Sequence, residues 1–225
     1  MKYINKEQEP ETLSFWFNNQ MDEEGNRLGC DFRKDLPGDV KRDLHDHLLR
    51  EQGFLCCYTG ILIDVIDVND SHIEHLKPYS LCKRERQCED VSYRNLLAAY
   101  PGKDRKNVHF GAHAKEDWYD PVRFVSPLDE NCEKQFIFYA SGKIAATDQE
   151  DIAAKTTIDK LVLNHDQLKD LRKAAIQEVL FNVDLEESEL QEIANGSYSV
   201  KDEDGKLPSF CFVIEQIAKQ LISTV

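Results

Sequence analysis

The chain has 225 residues, 41% of them hydrophobic, and its 11 Phe, 8 Tyr and 2 Trp supply enough apolar mass for a packed core, which excludes an intrinsically disordered chain. A formal net charge of -14 excludes nucleic-acid binding through bulk charge alone, and no apolar run approaches the roughly 20 residues of a membrane span. The opening MKYINKEQEPETL lacks the apolar segment of a signal peptide, so a cytoplasmic protein is expected, with its seven cysteines as buried thiols or ligands and not as disulfides.

In chain order, EPETLSFWFNNQ reads as a short helix and MDEEGNRLG as a turn-rich link. PGDVKRDLHDHLLREQG places Val40, Leu44 and Leu48 at four-residue spacing, the mark of an amphipathic helix that starts at Pro37 and stops at Gly53. His45 and His47 fall on different faces of that helix and read as surface residues. FLCCYTGILIDVID suggests two short strands around Thr59-Gly60, and SHIEHLKP a third strand closed by Pro78. SYRNLLAAYP reads as two helical turns or a loop, and a short helix is expected after Gly111. RFVSPL reads as a strand, and KQFIFYASGKIAAT as a hairpin turning at Ser141-Gly142. Beyond Asp148 the periodicity is helical, with Leu168, Leu171, Ala175, Ile176 and Val179 on one stripe, so a boundary near 150 separates a mixed part from a helical tail.

Charge is distributed unevenly. From His72 to Lys115 nine Lys/Arg face five Asp/Glu, a local net of +4 that leaves -18 for the rest of the chain. Such an island can hold a phosphate backbone locally, and a partner would supply the remaining affinity. Read as a strand end, HIEHLKPYS puts His72 and Glu74 on one face and His75 on the other, and a bend before Pro78 brings His75 round to them. Asn95 and His113 follow at intervals of 20 and 18 residues. Imidazoles, a carboxylate and a carboxamide suit a divalent metal with open coordination positions and a histidine base near neutral pH.

YTG, EHLKP, RNLL and GAHAK, in that order, resemble the HNH or ββα-metal nuclease finger. INKEQEPETL, the Cys56-Tyr58-Gly60 turn, CEKQFIFYASGKI and TTIDKLVLNHDQLKDLRKAAI extend the resemblance, over roughly residues 1 to 180, to the PtuB-like HNH proteins of Septu and retron anti-phage systems. The resemblance implies an α+β fold, a ββα-metal finger embedded in a mostly helical protein, with 1–150 the HNH nuclease domain and its N-terminal helices and 151–225 a helical, partner-binding region.

It further implies His75 as general base, Asn95 as the residue that positions it, and Glu74 and His113 as metal ligands. Lys77, Arg94 and Lys115 are then the nucleic-acid-binding positions. His72 is an extra ligand, a partner behind the ligands or simply a strand residue, and His109 a loop residue or phosphate contact. The implied cofactor is a divalent metal, Mg2+ foremost with Mn2+ or Ni2+ as alternatives. Structural zinc is not expected, because the usual C-x-x-C pair is reduced to Cys56 with Thr59 and LAAYP holds no cysteine. The implied activity is phosphodiester hydrolysis, of DNA in the first place or of structured RNA such as tRNA. The implied partners are a PtuA-like ABC/SMC ATPase and, in retrons, a reverse transcriptase with its msDNA, and no membrane. A catalytically silent module that recruits or regulates the ATPase is the alternative.

Overall fold

Two prolines set where the first helices begin. Pro10 (φ -55°) and Pro37 (φ -63°) precede α1 (Glu11–Asn18) and α2 (Gly38–Glu51), each lacking an amide where a helix start would leave one unpaired. α2 turns Leu44, Leu48 and Leu49 inward and ends before Gly53, whose positive φ carries the chain away beneath the Leu207 side chain. The computed structural model describes residues 1–63, 70–85, 88–102, 107–182 and 184–223.

The protein is mixed α+β and mostly helical. β1 (His72–His75) pairs antiparallel with β2 (Leu96–Ala99), His72 opposite Ala99 and His75 opposite Leu96. Between them lie α3 (Tyr79–Glu85) and two 3-10 turns at Glu89–Val91 and Tyr93–Asn95; α4 (Ala112–Lys115) follows β2. β3 (Phe136–Phe138) and β4 (Ile144–Ala146) form a second antiparallel pair. α5 (Ile152–Lys160), α6 (Asp166–Leu180), α7 (Glu187–Ala194) and α8 (Cys211–Ile222) complete the order. One apolar cluster runs through all of this, from Leu13 and Leu44 through Leu96, Leu97 and Phe136 to Ile176 and Ile217, and so continues across residue 150. No helix among the described residues is long and apolar enough to cross a membrane.

The second hairpin is clamped by α6 and α8. Gly142, at φ +79°, presses its turn so close to α6 that a Cβ there would overlap the Lys169 carbonyl oxygen. The buried Arg172 guanidinium donates to the Gly142 and Leu163 carbonyls. From α8, Gln216 accepts from Phe138 N–H (2.6 Å) and donates to Phe136 C=O (2.9 Å), acting as a further edge for β3.

Several sequence expectations are corrected. Leu96–Ala99, expected as helical turns or a loop, is a strand, because these four residues complete the ladder of β1 and bury all four side chains. RFVSPL forms turns; the Val125 amide donates to Thr157 Oγ1 (2.8 Å) and not to a strand. The segment 54–63 is a turn with a single bridge, Leu55 to Leu62, and the rest of that expected strand pair lies outside the described residues. His45 and His47 are half-buried and engaged: His45 Nε2 is 3.2 Å from Ser71 Oγ, and the His47 ring lies 5.7 Å from that of Tyr93, edge to face. Burial lowers the His45 pKa. Of the α6 stripe, Leu168 and Ile176 are core and Leu171 is exposed. Finally, Cys30 and Cys88 form a disulfide, against the expectation of free thiols throughout; the other five cysteines are free and buried.

Candidate active site

β1 alternates, as the sequence spacing requires, and the side chains of His72 and Glu74 meet. His72 Nε2 lies 3.4 Å from Glu74 Oε2, and the other carboxylate oxygen takes hydrogen bonds from Lys115 Nζ (2.9 Å) and Tyr58 OH (3.3 Å). Lys115, at the end of α4, is only 1% exposed and also donates to the His75 carbonyl (3.0 Å). Burial would raise the Glu74 carboxyl, but the ammonium of Lys115 and the ring of His72 outweigh it and hold Glu74 down to about 2. Tyr58 is pushed well up by burial and by the same carboxylate.

α4 brings His113 beside His72, ring centroids 6.1 Å apart. Each ring is backed on Nδ1 by a carbonyl: Pro101 O at 2.6 Å from His72 and Val108 O at 3.3 Å from His113. A carbonyl only accepts, so Nδ1 carries the hydrogen in both; Nε2 of His113 is left to ligate, and Nε2 of His72 is the nitrogen that faces the Glu74 carboxylate. Burial lowers the His113 pKa, which favours its neutral, ligating form.

His75 points the other way. Its Nε2 lies 2.9 Å from the Asp90 carbonyl, and the edge of Phe32 packs on its ring at 4.7 Å. The Asp90 contact assigns a hydrogen to Nε2. A cleft of about 190 Å³ is lined by His72, Glu74 and His75 together with Arg33, Tyr79, Glu116 and Asp117.

Asn95 does not touch His75. Its Oδ1 accepts from Lys77 N–H (2.8 Å), its Nδ2 donates to Lys77 C=O (3.1 Å), and its backbone carbonyl takes the Leu76 amide (2.9 Å). It therefore fixes the bend that follows β1, one step removed from the histidine. Lys77, Arg94 and Asn95 line a second cavity of about 450 Å³ with Phe17, Tyr93 and Tyr119, and not the cleft of His75.

The basic island is largely neutralised where it is described. Lys77 pairs with Glu85 and Glu89 (both 2.7 Å), Lys83 with Asp31 (3.2 Å), and Lys115 with Glu74. Lys115 is thus placed beneath the cleft, where its ammonium has no path to a phosphate. Arg94 and His109 are exposed. Arg86, Lys103, Arg105 and Lys106 lie outside the described residues.

Among the described residues no three His, Cys, Asp or Glu side chains already sit close enough to hold a metal ion. The donor chemistry of His72, Glu74 and His113 nonetheless fits one: two carbonyl-backed imidazoles and a carboxylate whose Oε2 faces an imidazole nitrogen. Lys115 competes, since it already neutralises Glu74. Sequence reasoning missed the buried role of Lys115 and the whole 29–36 loop; Cys30, 58 residues from Cys88, was the one trace of that loop in the sequence. No protein-family model matches the chain, and no curated protein matches it.

Proposed function

We propose that this chain is a metal-dependent HNH-type endonuclease that hydrolyses nucleic-acid phosphodiester bonds. The observation that carries the reading is the shared cleft: His75, its ring fixed by the Asp90 carbonyl, opens onto the same hollow as the His72–Glu74 pair, and α4 sets His113 against His72. The hairpin of β1 and β2 followed by α4 supports a ββα arrangement of these groups.

In this reading His75 takes the proton of the attacking water, while Asp90 C=O holds the Nε2 hydrogen and Phe32 restrains the ring. Asn95 keeps the Leu76–Lys77 bend closed and so fixes the end of β1. His72, Glu74 and His113 would hold the divalent ion, which when bound stabilises charge developing on the phosphate and the leaving oxygen. The cleft supports metal dependence on electrostatic grounds as well. With Glu74 balanced by Lys115, Glu116 and Asp117 still outnumber Arg33 around it, so a phosphodiester entering without a cation meets net repulsion.

The acidic chain fits a subunit that meets nucleic acid beside a partner, an ABC/SMC-like ATPase and in a retron setting a reverse transcriptase with its msDNA. DNA is the first substrate class and structured RNA the second. The test compares wild type with His75→Ala, alone and co-expressed with the neighbouring ATPase, following DNA and tRNA integrity with Mg2+ present. Cleavage by wild type and none by the variant is expected; identical behaviour removes the reading.

A catalytically silent module is favoured by one observation, the Lys115 ammonium on Glu74, which gives the carboxylate its counter-charge without a metal. Stoichiometric Mn2+ binding by wild type that Glu74→Gln abolishes decides between the two.

A further inference from the structure

The loop from Gly29 to Leu36 lies outside the β1–β2–α4 unit, yet it is bolted to the His75 side of it. The Cys30–Cys88 disulfide ties its start. Phe32 N–H donates to Asp90 Oδ2 (2.8 Å), on the residue whose carbonyl holds His75, and the Phe32 ring rests on the histidine. Asp31 turns the loop on itself, accepting from the Arg33 and Lys34 amides (2.8 and 3.0 Å), while its other oxygen takes Tyr79 OH (2.7 Å).

This scaffold presents one side chain to the cleft. The Arg33 guanidinium lies over the Tyr79 ring at 4.0 Å and lines the hollow with His72, Glu74 and His75. The nearest acid of its own loop, Asp31, is engaged by Tyr79 and Lys83. Among the described residues Arg33 has no ion-pair partner, whereas Lys77, Lys83 and Lys115 all do. A planar cation stacked on an aromatic face, with its donors unspent at the edge of a hydrolytic cleft, has the chemistry of a phosphate clamp.

We propose that Arg33 is the residue that grips the non-bridging oxygens of the scissile phosphate, the part that Lys115 is too deeply buried to play. The assignment rests on the nuclease reading above and adds to it a contact from outside the ββα unit.

The experiment measures steady-state cleavage of a supercoiled plasmid and of a tRNA transcript in Mg2+ by wild type, R33Q, R33K, K34Q and H75A, with the ATPase co-purified. Binding of a fluorescein-labelled 30-base-pair duplex in Ca2+ is followed in parallel by anisotropy at several salt concentrations. R33Q is expected to lose about 10- to 100-fold in kcat/KM with an unchanged melting temperature, and its binding to lose about one unit of salt slope. R33K recovers part of the loss, because an ammonium supplies charge without the fork. K34Q, an exposed lysine of the same loop that does not line the cleft, stays within twofold of wild type. Wild-type cleavage that H75A abolishes but R33Q leaves unchanged overturns the clamp alone. Wild type that neither cuts nor binds these probes overturns the clamp together with the nuclease reading.

Discussion

Lys115 Nζ lies 2.9 Å from Glu74 Oε1, the ammonium beneath the cleft that the carboxylate lines, with side chains 1% and 13% exposed. A buried carboxylate with its own ammonium is a stability element with a defined pH dependence. Glu74 is held at about 2 against an ordinary 4.5, so its contribution, about 3 kcal/mol, is complete above pH 4.5 and lost as the pH falls through 2. Lys115→Met removes the counter-charge while burial still opposes the carboxylate. The variant is expected to lose about 3–5 kcal/mol at pH 7 and much less at pH 3. Urea midpoints at the two pH values check this, and equal midpoints at pH 7 would contradict it.

Metal should substitute for that ammonium. If His72, Glu74 and His113 form the ligand set, Mn2+ raises the urea midpoint of Lys115→Met more than that of wild type, because binding to the folded state alone stabilises it. Electron paramagnetic resonance titration is expected to give one bound Mn2+ per chain, abolished by Glu74→Gln and retained by His109→Ala. Retention by Glu74→Gln would remove Glu74 from the set.

Asn95 makes its side-chain hydrogen bonds within the β1–β2 connection, to the Lys77 and Glu89 backbone and the Cys82 sulfur. Asn95→Ala therefore leaves the Lys77 amide without its partner, while the Lys77 carbonyl keeps the Cys82 thiol (3.2 Å), and costs about 1–3 kcal/mol. Hydrogen exchange at the Lys77 amide is expected to accelerate by a similar free energy, while the amides of α8 keep their protection relative to the new global stability.

The Cys30–Cys88 disulfide closes a span of 58 residues, which in chain-entropy terms stabilises the fold by about 4 kcal/mol. Thiol titration of the unfolded, unreduced chain should find five reactive cysteines, and seven after a dithiol. Reduction is expected to lower the urea midpoint and, if the chain is the nuclease proposed above, to lower cleavage as well, because the 29–36 loop carries Phe32 against His75. Seven thiols before reduction would refute the pairing.

The helix α2 was legible because Pro37 and the Val40–Leu44–Leu48 spacing are local signals, and the second hairpin because Ser141-Gly142 is one too. Leu96–Ala99 was misread because LLAA favours a helix by propensity, and only pairing with His72–His75 makes it a strand. RFVSPL has strand composition but meets a threonine of α5 and no ladder. Within the site, the contact of His72 with Glu74 followed from alternation. That Lys115 turns inward, that Asn95 stops short of His75, and that a loop 40 or so residues upstream reaches the cleft are facts of tertiary placement, which no spacing encodes.

Gly142 leaves no gap between the tip of the second hairpin and α6, and Gln216 fastens the same hairpin to α8. Force applied to the outer surface of α6 is therefore passed through β3 and β4 to the C-terminal helix without slack. The hairpin thus locks α6 to α8, and displacing one helix requires displacing the other.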